Sequence, residues 1–252
     1  CNFYYGTKAK NLIKKKLALP LCGNKNIAFD NIEIISRGKK IKLIDVKNIK
    51  KLPKQIKKTV LKGIKKIVFK RTNLNKYSNI SEPLIMGVLN LTPDSFSDGG
   101  LYLQSKKAFT HINNMISKGA DIIDVGGEST RRGSKNIAYK VEWMRLKKII
   151  INFKKKFPKT LLSIDTRKSE VMLKSIKHKS DIINDVSGFN YDYKAINKIK
   201  NYNVWKVLHH MQGTPSTMQI KPSYKNVLLD VYDFFEKKIN VDFKKFKYKK
   251  FI

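Results

Sequence analysis

LIMGVLNLTPDSFSDGG, residues 84–100, begins as a short apolar run and turns abruptly into hydroxyls, carboxylates and glycines. The first half fits a strand covered on both faces. The second half is too polar for a core and reads as a loop at the strand's carboxyl end. The same change recurs downstream. Apolar runs at 121–126 (DIIDVG), 161–165 (LLSID), 181–186 (DIINDV) and 204–210 (VWKVLHH) also end on polar residues. Helical patterns separate them. Phe109, Ile112 and Ile116 share one face; so do Val141, Met144, Ile149 and Phe153, and later Val227, Val231, Phe234 and Phe235. Ser105 and Gly119 bracket the first of these helices as cap and stop.

Successive strand–helix units demand a parallel sheet, either doubly wound or part of a (β/α)₈ barrel. The polar residues decide between them. They fall at the end of every strand: Asn90 and Asp94, then Glu128 with Thr130 and Arg131, then Asp165, then Asn184 and Asp185, then His209 and His210. In a barrel such points converge on one mouth, whereas an open sheet confines its site to a single crevice. The expected architecture is therefore α/β, an incomplete (β/α)₈ TIM barrel of about the first five βα units. A small N-terminal α+β segment precedes it.

That segment, residues 1–82, reads as two strands, IAFDNIEIIS (27–36) and KIKLIDV (40–46), joined across Arg37 and Gly38. A basic helix over roughly residues 53–66, with Pro53 in its first turn, and a linker running up to Pro83 complete it. It holds no chemistry-bearing constellation, and its role is left unassigned. Residues 83–252 form the barrel domain.

Composition excludes several classes. With 41% apolar residues in 252, the chain can bury a core despite a net charge of +35. The charge comes from lysine spread along the chain rather than from arginine interleaved with aromatics, so no specific nucleic-acid partner is expected. A basic nucleic-acid-binding protein is nevertheless the rival reading from a different class, and steep salt dependence of binding to arbitrary DNA would mark it. Cys1 and Cys22 form neither a disulfide framework nor a metal pair, and no stretch is long and apolar enough for a membrane. A cytoplasmic setting and no membrane partner are the expectation. Opening on Cys1 rather than Met, the sequence is read as lacking its front. It stops where a sixth strand is about to start, so the piece alone is expected to be inactive and poorly stable.

Five motifs in order, MGVLNLTPDSFSDGG, DIIDVGGESTR, SIDTRK, DIINDVSG and HMQGTPSTMQ, closely resemble the dihydropteroate synthase family from about Leu84 onward. The resemblance implies a (β/α)₈ barrel that condenses 6-hydroxymethyl-7,8-dihydropterin diphosphate with 4-aminobenzoate, releasing diphosphate with help from Mg²⁺. A homodimer stays open as an assembly. Two other outcomes are an inactive or partner-binding relative and a pterin-binding methyltransferase domain; TPDSFSDGG with GGESTR favours the synthase.

The residue chemistry agrees. Asn90, where a strand opens into a loop, offers an amide oxygen to a hard cation whose other ligands are diphosphate oxygens and water, or it closes a turn. The resemblance implies metal contact. Asp165 and Asn184 end adjacent strands; a carboxylate accepts two N–H donors of a pterin edge, and an amide both donates and accepts. The resemblance places both in a pterin pocket where Met211 adds an apolar contact. The plainer alternatives are an aspartate capping the helix near Lys168 and an asparagine held in a turn. Asn184 and Asp185 point to opposite faces if the strand persists, so Asp185 is left as support. Asp124 and Glu128 are as well suited to internal hydrogen bonding as to ligand contact. His210 matches the family histidine, and neither histidine has triad or zinc spacing.

The two Gly/Ser-rich loops would carry the second substrate. By resemblance Phe96 supplies a ring contact, Asp98 and Arg131 order the loops, and Thr130 gives a polar group near the reacting centre. Arg132 stands where the family has proline, which loosens this loop and leaves the shape of the aminobenzoate pocket open. No side-chain nucleophile is expected; the reaction needs positioning and stabilisation of the leaving charge.

Overall fold

The computed structural model describes residues 2–70, 83–92, 101–129, 136–214, 217–248 and 250–252. The chain divides into two compact units, residues 1–82 and 83–252.

In the first unit, β1 (Phe3–Tyr5), α1 (Gly6–Lys14), β2 (Leu19–Leu21) and β3 (Asn24–Phe29) form an antiparallel sheet ordered β1-β3-β2 with a helix packed on it. Its small core is Ala9, Ala18 and Ala28, where short side chains let helix and sheet approach. β4 (Asn31–Ile34) pairs with β5 (Lys42–Asp45) as an antiparallel hairpin, and α2 (Lys54–Val68) follows with Pro53 at its N-cap. The strand expected over 27–36 is thus two strands in different sheets. Asp30 makes the corner: its carboxylate accepts from Tyr4 Oη at 2.7 Å and its carbonyl accepts the N–H of Val46.

The second unit carries β6 (Met86–Asn90), α3 (Leu101–Ser117), β7 (Ile122–Gly126), α4 (Tyr139–Lys156), β8 (Leu161–Asp165), α5 (Ser169–Lys177), β9 (Ile182–Asp185), α6 (Ala195–Ile199), β10 (Trp205–Leu208) and α7 (Val227–Asn240). The strands form one parallel sheet ordered β10-β9-β8-β7-β6. Alternate strand residues separate two faces. Leu89, Ile123, Val125, Leu162, Ile164 and Ile183 enter one core with Ala108 and Ile112 of α3, Leu146, Ile149, Ile150 and Phe153 of α4, and Val171 and Met172 of α5. The other parity is absent from that core. Helices thus cover one face only, as in a barrel wall and unlike a doubly wound sheet.

Beyond α7, the N–H of Lys206 donates to Lys250 O, that of Ile252 to Lys206 O and that of Leu208 to Ile252 O, extending the parallel ladder to a further short segment. Lys206 itself is wholly buried. Its Nζ donates to Tyr248 O at 3.0 Å and lies 4.7 Å from the Phe246 ring centroid. Burial, and then the nearby Lys250 charge, push its pKa down to about 8.

Three helical expectations need correction. α3 begins ahead of Ser105, which is buried within the helix rather than capping it; Gly119, at φ +101°, does follow its end. On α4, Val141 and Met144 are exposed, and the buried face is Glu142, Leu146, Ile149, Ile150 and Phe153. On α7, Val227 is exposed. Among the described residues no helix is long and apolar enough to cross a membrane.

Candidate active site

Strand register builds the site. Asn90 pairs with Gly126, Gly126 with Asp165, Asp165 with Asn184, and Asn184 with Val207, so these residues form one row across the carboxyl rim of the sheet. Val88, Asp124, Ser163, Ile182 and Trp205 form the row below, on the same helix-free face. Gly126 is what lets the rim close up. A Cβ there would lie 3.3 Å from Asn90 Oδ1 and 3.4 Å from Asp165 Oδ2, so both oxygens lean over the strand between them.

Asp165 is the electrostatic centre. Burial, then the Asp124, Asp185 and Glu142 charges, raise its pKa to about 7, with Arg167 opposing. It does not cap α5: the N–H of Ser169 donates instead to Asp192 Oδ2 at 2.9 Å. Asn184 donates from Nδ2 to Asp124 Oδ2 at 3.0 Å and receives His209 Nε2 on Oδ1 at 2.7 Å. Burial raises the Asp124 pKa and lowers that of His209. Asp124 Oδ1 and Ser163 Oγ, both buried, have no hydrogen-bond partner among the described residues.

Asp185 faces away, into the following turn. Its Oδ1 accepts from Ser187 N and Oγ at 2.8 and 2.7 Å, and its Oδ2 from Phe189 N at 3.1 Å. Burial pushes its pKa up to about 6 against those bonds. Asn184 thus lies in the rim row on the helix-free face, and Asp185 supports the turn behind it.

A second buried cluster gives Glu128 the internal hydrogen-bonding role that was one of its two readings, whereas its partners Arg167, Lys168 and Glu142 escaped the sequence reading. Glu128 Oε2 meets Arg167 Nη2 and Lys168 Nζ, each at 2.9 Å, and Lys168 Nζ also meets Glu142 Oε2 at 2.7 Å. Burial would raise the Glu128 pKa, but hydrogen bonds from Lys168, Arg167 and the Ile137 N–H outweigh it and hold the carboxyl below its usual range. The available signal was a lone glutamate on the apolar side of α4 and an Arg-Lys pair just past a strand end. Arg167 lies 4.3 Å over the Tyr191 ring, and both line a cavity of about 130 Å³ with Met211, Ser187, Gly213 and Phe234. Met211 is therefore beside Arg167 and Tyr191, while Asn90, Asp165 and Asn184 share the rim. His210 Nε2 lies 3.1 Å from Tyr224 Oη, and its ring packs 4.6 Å from that of Phe234. Phe96, Asp98, Thr130, Arg131 and Arg132 lie outside the described residues.

As for a metal, no group of three His, Cys, Asp or Glu among the described residues could hold one alone. The Asn90 amide oxygen, leaning over Gly126 at the rim, is of the type a hard cation accepts beside phosphate and water.

This arrangement has close relatives. Dihydropteroate synthase of Neisseria meningitidis is 40% identical over 155 residues, covering 60% of this chain and 53% of that protein. The Escherichia coli enzyme is 40% identical over 161 residues, covering 64% of this chain and 56% of its own length. The chain thus spans just over half the length of these curated relatives. Among solved structures, Burkholderia cenocepacia dihydropteroate synthase complexed with 7,8-dihydropteroate matches at TM-score 0.56 and 33% identity, over 66% of this chain and 55% of that one. The Xanthomonas albilineans enzyme with 4-aminobenzoic acid matches at TM-score 0.58 and 33% identity, over 66% and 57%. The family described as pterin binding enzyme matches residues 86–244, from the first rim strand through α7. Register, rim chemistry and sequence agree, and the chain belongs to the pterin-binding enzyme family.

Proposed function

We propose that the intact protein is a dihydropteroate synthase, joining 6-hydroxymethyl-7,8-dihydropterin diphosphate to 4-aminobenzoate with loss of diphosphate. One observation carries this reading: Asn90, Asp165 and Asn184 occupy a single cross-strand row at the mouth of the sheet, with the first two converging over Gly126. Such a row matches a flat heteroaromatic edge. Asp165 accepts its adjacent N–H donors, and Asn184 both donates and accepts. An edge lacking those groups leaves buried partners unpaired, at a cost of ~1–3 kcal/mol per group.

Asn90 offers the amide oxygen that would hold Mg²⁺, whose contribution would be neutralisation of diphosphate charge. The chain's own residues bind and orient. Asp165 and Asn184 fix the ring plane so that its methylene carbon faces the second substrate. The diphosphate leaves with the electron pair of its carbon–oxygen bond, the electron-rich ring stabilises the developing cation, and the arylamine nitrogen then attacks and releases its N–H proton to solvent. Proximity, orientation and charge stabilisation supply the acceleration. Phe96, Asp98, Thr130 and Arg131 are assigned to the aminobenzoate side, and Met211 to an apolar contact on the pterin side. The substrates are small molecules, the setting cytoplasmic.

The test is calorimetric titration of the intact protein with the pterin substrate. Asp165→Ala should abolish measurable binding while the melting curve keeps its cooperativity. Retained affinity in that variant refutes the assignment.

A further inference from the structure

His209 stands beside the rim, and we infer that it is a positioning residue for the ligand-facing amide of Asn184. The inference rests on the pterin reading of the rim. A side-chain amide in a site of this kind can flip or tilt, and only one setting offers a given order of donor and acceptor to a planar ring. Two neighbours restrain it here. The Asp124 carboxylate accepts hydrogen bonds, so the atom 3.0 Å from its Oδ2 is the amide nitrogen. This directs Oδ1 to His209 Nε2 at 2.7 Å, which must carry the hydrogen.

Asp124 decides which end of the amide is nitrogen, and His209 fixes the plane in which it lies. Each uses one hydrogen or one lone pair. The second hydrogen on Nδ2 and the second lone pair on Oδ1 stay available to a ligand. Burial lowers the His209 pKa, so the ring is a neutral donor at neutral pH. Register accounts for its reach: Val207 pairs with Asn184, and His209 comes two residues later. The turn after β9 is shaped around it as well. Gly188 has φ +58°, and a Cβ there would lie 2.7 Å from the His209 carbonyl oxygen.

The experiment compares His209→Leu and His209→Gln in the intact protein. Gln keeps an N–H at similar reach; Leu keeps bulk without a donor. His209→Leu should raise the KM for the pterin diphosphate roughly tenfold, about one net hydrogen bond. Gln should restore most of that loss, and the KM for 4-aminobenzoate should stay unchanged in both. Should Leu prevent folding, judged by its melting curve, His209→Met reads the same contrast. An unaltered pterin KM in the Leu variant, or equal impairment of Leu and Gln, overturns the inference alone. Failure of the wild-type protein to bind the pterin overturns the rim reading and this inference with it.

Discussion

Lys168 Nζ lies 2.7 Å from Glu142 Oε2 in the interior, tying the segment after β8 to the first turn of α4. Glu142 is wholly buried. Removing one member of a buried ionic cluster leaves an uncompensated charge. Glu142→Gln should therefore destabilise the fold by ~2–3 kcal/mol, less than a complete break because Lys168 keeps Glu128 at 2.9 Å. Urea denaturation should show a lower midpoint with an unchanged slope.

Gly126→Ala tests the closeness of the rim. Its new methyl would meet Asn90 Oδ1 at 3.3 Å, which must give by a few tenths of an ångström, and would fill the space against Asp165 Oδ2 at 3.4 Å. The fold should survive. Affinity for the pterin diphosphate should fall about tenfold, the equivalent of ~1.4 kcal/mol, read by calorimetry.

Asp165 makes function and stability oppose each other. Its folded pKa of about 7 stands above the unfolded 3.8. The native state therefore holds a proton the unfolded chain has released, and stability falls as pH rises through that window. Asp165→Asn should raise the melting temperature at pH 8, by the equivalent of roughly 1–3 kcal/mol after discounting for partial exposure, and leave it nearly unchanged at pH 4. Pterin affinity of the wild type should weaken as pH drops through about 7, where the accepting carboxylate is lost. Parallel melting and titration series across pH 4–9 check both halves.

Gly188→Ala should cost about 2 kcal/mol. An L side chain is strained at φ +58°, and the added Cβ meets backbone oxygen of His209 at 2.7 Å rather than a flexible side chain. Because the displaced atom belongs to His209, pterin affinity should drop along with the denaturation midpoint.

Much of the fold was legible from Leu84 onward because the strands are short, apolar and spaced by helices. The run LLSID coincides with β8, and the others differ from the observed strands by one or two residues at an end. Parity also placed Asn184 and Asp185 on opposite faces. Legibility failed where one residue serves two elements. Asp30 splits an apparently continuous strand because it takes partners from Tyr4 and Val46, which local pattern does not reveal. Val141 and Met144 look like core, but α4 is turned so that Glu142 faces inward to meet Lys168. His209 looked subordinate to His210, and only register brings it to Asn184.

The alternation of the strands carries one more consequence. Leu89, Val125, Ile164 and Ile183 hold the sheet to its helices, while their immediate neighbours Asn90, Gly126, Asp165 and Asn184 face the mouth. Chemistry and architecture are interleaved at every other residue. A saturation scan along β6 to β9 should therefore resolve into a comb, with abundance falling on one set of teeth and ligand binding on the other. Specificity in such a wall can drift through generations of substitution without the scaffold registering the change.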